Sequence, residues 1–241
     1  MPWQHMSSAR CTTMAEQGNA DAQFELGVLY HEGNVVDQDA SKVVEWLTKA
    51  ANQGQAKAQY VLGAMHYFGK GVEQDYTKAR EWWQKSAEQG YDEAQYSLGV
   101  MYSHGEGVAQ SDNQAFNWYQ KAAKQGHADA QNNFAVMYEN GSGMTKDYAK
   151  AVMWYQRSAD QGLTEAEYNL AWMFENGYGV DQDYKQAFNW YLKAAEQGDA
   201  MAVYVIGMMY NYGKGVQQDK FQADIWLNKA CGSGVQIRCN R

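Results

Sequence analysis

The sequence repeats itself with a period of 36 residues. The segment that begins AQFELGVLYHEG at Ala22 recurs in recognisable form at Ala58, Ala94, Ala130, Ala166 and Ala202. Six in-phase copies of one unit indicate a repeat protein, in which each unit packs against its neighbours to bury a continuous core. We number the positions within each repeat as columns, and the alanine is column 0.

Glycine is confined to a few of these columns, although proline is almost absent. The chain has 23 Gly and 1 Pro, and 22 of the glycines fall in columns 5, 11, 13 and 32. Glycine readily adopts the positive φ values that end a helix and turn the chain. The glycines of columns 11 and 32 therefore divide each repeat into two helices, which we call helix A and helix B.

The apolar residues form one stripe on each helix. Columns 0, 4, 7 and 8 have the spacing of one helical face, and we expect helix A over columns 0 to 10. The stripe of helix B lies in columns 21, 24, 25 and 28. An Asp or Ser in column 17 predicts its N-cap, and a Lys or Arg in column 27 lies favourably near its end.

Aromatic residues supply the surface that stacked hairpins bury. They make up 14% of the chain, and six of the nine Trp occupy column 24. One buried aromatic side chain removes about 150–250 Å² from water, and a single hairpin cannot bury that surface alone. The sequence predicts an all-α solenoid and excludes a disordered chain.

Charge and hydropathy exclude several classes of partner. No apolar run reaches the roughly 18 residues that a membrane span needs, and the net charge is −8. Nucleic acids and anionic lipids require clustered Lys and Arg. We therefore expect a protein or peptide partner, no nucleic acid, no membrane span and no cofactor, and we expect the chain to be a monomer.

The columns together resemble the Sel-one-like repeats, relatives of the tetratricopeptide repeats. The shared pattern is A-x-x-x-L-G-x-x-Y-x-x-G-x-G-V-x-x-D-x-x-K-A-x-x-W-x-x-K-A-A-x-x-G. Residues 58–90 follow it with His66 in place of the tyrosine and Ser86 in place of one alanine. The resemblance implies a right-handed α/α superhelix whose concave surface is lined by helix A. It also implies an adaptor that holds other proteins, often at the bacterial envelope. Some relatives are immunity partners of secreted toxins, and some cysteine-rich ones were linked to penicillin binding.

The register assigns nearly the whole chain to repeats. Residues 1–21 form an N-terminal capping half-repeat, in which Arg10 stands in the tryptophan column. Residues 238–241 are the truncated start of a further helix. Six repeats lie between them, at 22–57, 58–93, 94–129, 130–165, 166–201 and 202–237.

The columns of helix A that face away from the core predict where a partner binds. Columns 2, 6, 9 and 10 lie opposite the core stripe, and columns 9 and 10 vary most between repeats. The aromatic residues of column 2 fit two interpretations equally well, contact with a partner or packing between neighbouring helices. Trp172 and Met208 predict an apolar patch beside the acidic Glu139 and Glu175. The candidate residues are Phe24, His31, Tyr60, Tyr67, Phe68, Tyr96, His104, Glu139, Tyr168, Trp172, Glu175, Tyr204, Met208 and Tyr212.

Two cysteines near the C-terminus extend the resemblance. Cys231 and Cys239 have the C-x7-C spacing of the disulfide in the cysteine-rich relatives, and a short turn between helices brings such positions within bridging range. We expect this disulfide in preference to free thiols. It favours a periplasmic or secreted protein over a cytoplasmic one, although no export signal is visible. Cys11 is expected to be a buried free thiol.

The motifs of enzymes are missing or incomplete. The sequence has no P-loop, no nucleophile elbow and no histidine pair with zinc spacing. Ser111-Asp112-Asn113 spells the S-D-N triplet of β-lactamases, but neither S-x-x-K nor K-T-G accompanies it. We expect a non-enzymatic protein-binding scaffold without a metal, in its most specific form an immunity protein. The alternative is a weak β-lactam-binding or β-lactamase-like enzyme.

Overall fold

A computed structural model describes residues 8–33 and 36–232. In these ranges the chain folds into 13 α-helices without any β-strand, so the predicted all-α class is confirmed. The chain divides into two compact units, Met1–Gln125 and Gly126–Arg241, and each is described by itself. The predicted helix start at 238–241 lies outside the described residues. So does Cys239 of the predicted disulfide.

The helices alternate between helix A and helix B. Unit 1 contains α1 (Ser8–Glu16), α2 (Ala20–Glu32), α3 (Ala40–Asn52), α4 (Ala56–Phe68), α5 (Tyr76–Glu88), α6 (Asp92–His104) and α7 (Asp112–Gln125). Unit 2 contains α8 (Ala128–Asn140), α9 (Tyr148–Ala159), α10 (Thr164–Asn176), α11 (Tyr184–Glu196), α12 (Ala200–Tyr212) and α13 (Lys220–Gly232). From α2 onward, even numbers are helix A and odd numbers are helix B.

Each helix A begins two residues before the expected column 0. In four of the six repeats the residue in front of the helix explains the earlier start, because its side chain caps the backbone. Asn19 Oδ1 accepts a hydrogen bond from the backbone N of Ala22 at 2.8 Å, and Asp199 Oδ1 accepts one from Ala202 N at 2.6 Å. These caps satisfy N–H groups that have no partner within the helix.

The predicted N-caps of helix B are confirmed. Asp75 Oδ1 accepts a hydrogen bond from the backbone N of Lys78 at 3.0 Å, and this bond holds the pKa of Asp75 below its ordinary value. Ser111, which replaces the aspartate in the third repeat, accepts a hydrogen bond from Gln114 N at 3.3 Å. The serine therefore caps its helix B as the aspartates do in the other repeats.

The predicted glycine turns are confirmed too. α4 ends at Gly69, which has a φ of 67° and donates its N–H to the carbonyl of Met65. Gly179, in a column 13 turn, has a φ of 72° and packs against the start of α9. A Cβ atom on Gly179 would lie 2.7 Å from Ala149 N. This turn therefore excludes a side chain both by its backbone conformation and by its neighbour.

A buried polar ladder, which we did not predict, joins consecutive helices of each unit. Gln59 in column 1 is buried, and its Nε2 donates to the carbonyl of Ala51 in the preceding helix B at 3.0 Å. Its Oε1 accepts a hydrogen bond from Gln89 Nε2 in the following helix B at 2.8 Å. Because a buried amide is costly unless it is hydrogen-bonded, column 1 fixes how helix A sits between two B helices.

Helix α1 holds the position of a helix B in front of the first repeat. Gln23 Nε2 donates to the carbonyl of Ala15 at 3.0 Å, as Gln59 does to Ala51 one period later. Cys11 is a buried free thiol, as expected, and burial raises its pKa.

Candidate partner-binding surface

Columns 2, 6, 9 and 10 lie on the outer side of helix A, and we call their side chains the helix A surface. The column 2 aromatics are half-buried, whereas column 10 is exposed. Phe68 and Tyr212 are 61% and 62% exposed. An apolar ring that remains in water is costly to leave uncovered, so these two side chains are the most prominent apolar contacts on this surface.

Four of the predicted residues of unit 1 line one cavity of about 330 Å³. They come from α4 and α6, two consecutive A helices. We call this the aromatic cavity. Its lining consists of Tyr60, Ala64, Tyr67, Phe68, Trp83, Glu93, Tyr96, Ser97 and Val100. The structure thus brings together side chains that are up to 40 residues apart in the sequence.

Trp83, in column 25 of helix B, forms the inner wall of the aromatic cavity. Its indole Nε1 donates to the carbonyl of Tyr60 at 3.0 Å, and its ring centroid lies 5.2 Å from that of Tyr67. The ring fits because Gly63 has no side chain: a Cβ there would lie 2.5 Å from Trp83 Cδ1. The sequence pattern places column 25 in the core alone. Its pairing with a column 5 glycine was the signal that could have revealed this wall.

Two tyrosines of the aromatic cavity, Tyr67 and Tyr60, remain uncharged at neutral pH. Burial, a hydrogen bond donated to Glu106 and the charge of that carboxylate all raise the pKa of Tyr67 above its ordinary value. Burial, followed by the negative charge of Glu93, raises the pKa of Tyr60. The charges at the cavity are therefore carboxylates, and Glu93 is the charged residue in its lining.

A second cavity of about 610 Å³ lies beside the first, between α2 and α4. We call it the apolar cavity because aliphatic side chains such as Val28, Val61 and Met65 line most of it. The predicted residue His31 also contributes to its lining. Ala64 and Phe68 line both cavities, so a bound chain that covers Phe68 has access to both.

In two repeats of unit 2, column 9 carries a carboxylate held by a buried tyrosine. The hydroxyl of Tyr155 donates to Glu139 Oε2 at 2.6 Å, and the hydroxyl of Tyr191 donates to Glu175 Oε2 at 3.0 Å. Burial and the neighbouring carboxylates raise the pKa of both tyrosines. Each carboxylate is thus fixed on the helix A surface by a donor from column 25.

The predicted apolar patch of unit 2 consists of half-buried side chains. Trp172 has its ring centroid 5.0 Å from that of Tyr178, and the rings of Tyr168 and Tyr191 meet at 5.2 Å in a T-shaped arrangement. Tyr204 packs against the core of this unit, and Met208 is half-buried. These side chains pack against their neighbours and also remain partly accessible to solvent. Both interpretations of column 2, contact with a partner and packing between helices, therefore stay open.

Two predicted residues of unit 1 do not line either cavity. Phe24 packs against the core cluster that contains Leu47 and Leu62. His104 is exposed, and its Nδ1 lies 3.0 Å from the carbonyl of Val100 in its own helix. The structure therefore gives Phe24 a packing role and leaves His104 beside the aromatic cavity rather than in it.

Neither a metal site nor a membrane span is found in the part of the chain that the structure describes. Over residues 8–33 and 36–232, no three His, Cys, Asp or Glu side chains are grouped so that they could hold an ion. No helix in the same ranges has both the length and the apolar character needed to cross a bilayer.

The Sel1 repeat family model matches six consecutive segments of the chain, at residues 20–55, 56–91, 92–127, 128–163, 164–199 and 200–235. These segments begin two residues before our repeat boundaries, at the first residue of each helix A. Their period is the same 36 residues.

Two solved structures share substantial sequence with this chain. One is a protective antigen present in uropathogenic Escherichia coli strains that displays an SLR fold, with 36% identity and a TM-score of 0.92. The match covers 95% of this chain and 49% of the antigen, so this chain spans about half of that protein's length. The other is a Sel1 repeat protein from Oxalobacter formigenes, with 31% identity, a TM-score of 0.78 and coverage of 93% and 88%.

A more distant structure shares the fold alone. It is an immunity protein from Pseudomonas aeruginosa with 18% identity and a TM-score of 0.52, and the match covers 92% of this chain and 84% of that one. No curated protein matches the chain.

Proposed function

Because the chain belongs to the Sel1 repeat family, we propose that it is a non-enzymatic scaffold that binds another protein through its helix A surface. Repeat proteins of this kind use the outer columns of their helices for contact, since the inner columns are committed to stacking. The observation that carries the proposal is the pair of adjoining cavities on α4, where the exposed Phe68 contributes to both.

The chemistry of this surface suits a protein partner. Its aromatic side chains offer large contact areas, and exposed or half-buried Tyr and Trp are the residues that most often dominate binding energy. Glu139 and Glu175 add fixed negative charges in unit 2. Fixed polar groups beside apolar rings favour a specific partner over indiscriminate hydrophobic association.

Site-specific photo-crosslinking tests the proposal. A photoreactive phenylalanine analogue is placed at Phe68, and in a matched control at Phe221, which is 72% exposed on α13. In lysate of the organism that encodes the chain, we expect one protein to crosslink at Phe68 and not at Phe221. The triple variant Tyr67→Ala/Phe68→Ala/Tyr212→Ala should lose that partner. Equal crosslinking at both positions, or undiminished binding by the triple variant, would contradict the proposal.

We extend the proposal to an immunity role, in which the bound partner is a secreted toxin. The resemblance to the Sel-one-like repeats, some of which are immunity partners of secreted toxins, supports this role. Co-expression with the product of each neighbouring gene tests it. Rescue of growth from one toxic neighbour, lost in the triple variant, is the expected result.

We also propose that the chain acts in the periplasm or outside the cell. This rests on the expected Cys231–Cys239 disulfide, which needs an oxidising compartment. Mass spectrometry after periplasmic expression should find these two cysteines joined, and free thiols at both would contradict the proposal.

A further inference from the structure

Building on the protein-binding function proposed above, we infer that the aromatic cavity takes the positively charged end of an arginine or lysine side chain of the partner. The inference concerns one cavity of unit 1 and one kind of side chain. It rests on the composition of the lining, on its charge and on the way in which the protein's own basic side chains pack.

The lining is dominated by aromatic rings. Tyr60, Tyr67, Phe68, Trp83 and Tyr96 contribute five rings to a cavity of about 330 Å³. The face of an aromatic ring is electronegative, so several rings around one space attract a cation and exclude an anion. The volume is at the lower end of the range for small-molecule sites, which suits one side chain rather than a folded element.

The charge of the lining has one sign. Glu93 contributes a carboxylate, and no Lys, Arg or His is among the nine residues that form the cavity. Burial, followed by the negative charge of this carboxylate, raises the pKa of Tyr60, whose ring lines the same cavity. A guanidinium or ammonium group in the cavity would have ring faces around it and a carboxylate of opposite sign nearby.

The protein already uses the same attraction elsewhere. In every repeat the basic residue of column 27 lies over the indole of column 24, with the charged group between 3.7 and 4.9 Å from the ring centroid. Those indoles belong to helix B, and the basic residue over each indole comes from the same helix. Lys70 lies 5.5 Å from the ring centroid of Phe68, but it lines the apolar cavity rather than the aromatic one.

The neighbouring apolar cavity indicates which residue should lie next to the basic one in the bound segment. Since Ala64 and Phe68 line both cavities, a bound segment that places a basic side chain in the aromatic cavity can place an apolar side chain beside it. An aliphatic side chain would gain more from the larger apolar cavity. The expected segment therefore carries a basic residue close to an apolar one.

The test is an NMR titration of the full chain with two blocked tripeptides. One is glycyl-arginyl-glycine, and the other has citrulline in place of arginine, which keeps the shape and removes the charge. We expect the arginine peptide to shift the amide resonances of Tyr67, Ser97 and Val100 in a saturable way. The citrulline peptide should bind at least about fivefold more weakly, which corresponds to the usual strength of a cation over aromatic rings.

Two variants separate the local charge from general electrostatics. Glu93→Gln removes the carboxylate of the cavity and should weaken binding of the arginine peptide about threefold. The control, Glu81→Gln, removes an exposed carboxylate of α5 that does not line the cavity, and it should leave the affinity unchanged. Thermal melting of each variant verifies that the fold is retained.

The outcomes distinguish this inference from the protein-binding function. If both peptides bind alike, or if neither shifts these resonances, the cation-binding inference is wrong. The photo-crosslinking partner of Phe68 can still exist in that case, and the protein-binding proposal then stands alone. If the arginine peptide binds selectively while no partner crosslinks at Phe68, the cavity binds cations but the proposed function fails.

Discussion

Glu167 is an acid at a position where the fold requires an amide. Four earlier repeats have glutamine in column 1, and Gln95 shows what this residue does. Its Nε2 donates to the carbonyl of Ala87 at 3.1 Å while its Oε1 accepts a hydrogen bond from Gln125 at 2.9 Å. Glu167 keeps the second bond, because Gln197 Nε2 donates to its Oε2 at 2.8 Å. An ionised carboxylate cannot make the first.

The substitution Glu167→Gln should therefore stabilise the protein. It supplies a donor for the carbonyl of Ala159, eight residues back, as Gln95 does for Ala87. It also removes a charge from a site that is 4% exposed. One net hydrogen bond contributes about 0.5–1.5 kcal/mol. With relief of the buried charge, we expect about 1–2 kcal/mol, or roughly 3–6 °C in melting temperature for a chain of this length.

The gain should depend on pH. Desolvation raises the pKa of Glu167 above its ordinary value of 4.5. The folded chain therefore holds this proton more tightly than the unfolded chain, and the wild type loses stability as the pH rises from below 4.5 through the folded-state pKa. The advantage of Glu167→Gln should grow over the same interval, and should be smallest in acid, where the protonated wild-type side chain is itself a donor.

Calorimetric melting from acid to neutral pH measures this. The reverse substitution Gln95→Glu is the matched control in unit 1, and it should destabilise at neutral pH by a similar amount. A Glu167→Gln variant that melts at or below the wild-type temperature at neutral pH would refute the reasoning. A gain that does not change with pH would show that the buried charge is not its source.

Three further predictions follow from the glycine, capping and tyrosine contacts. Gly63→Ala should destabilise the chain by about 1–3 kcal/mol in chemical denaturation and abolish peptide binding at the aromatic cavity, because the added methyl group displaces Trp83. Ser111→Ala should lower the free energy of unfolding by about 0.5–2 kcal/mol, whereas Ser111→Asp keeps the N-cap and should retain the stability. If the wild type hydrolyses a cephalosporin and Ser111→Asp does not, the result favours the enzymatic alternative. In an alkaline titration followed by ultraviolet absorbance, Tyr155 and Tyr191 should ionise only as the chain unfolds, since their pKa is raised above the ordinary 10. If the late phase of this titration is unchanged in the variant with phenylalanine at both positions, the assignment is wrong.

The fold could be predicted from the sequence because its signals are local and repeated six times. A glycine that ends a helix and an aspartate that caps the next one act within a few residues of themselves. Gly69 and Asp75 thus behave in the structure as the pattern indicates. The start of helix A was less visible, because its cap is Asn in one repeat, Gln in another and His in a third.

The aromatic cavity could be predicted only in part. Helical phase identified Tyr60 and Tyr67 on the outer side of helix A, since phase is a property of one helix. It could not identify Trp83, because that side chain reaches the cavity from helix B through the space that Gly63 leaves. Glu93 was missed for a similar reason: its column precedes the alanine that we took as the start of the repeat.

Column 25 faces inward, but in four of the six repeats its side chain contacts the column 9 residue of the helix A surface. It packs against a tyrosine as Trp83 in one repeat, and it donates a hydrogen bond to a carboxylate as Tyr155 in another. In each case its partner is the column 9 residue of the same repeat, 16 positions earlier. Exchange of a column 9 residue alone would therefore separate it from the side chain that orients it. A change of binding specificity in this scaffold requires that columns 9 and 25 change together.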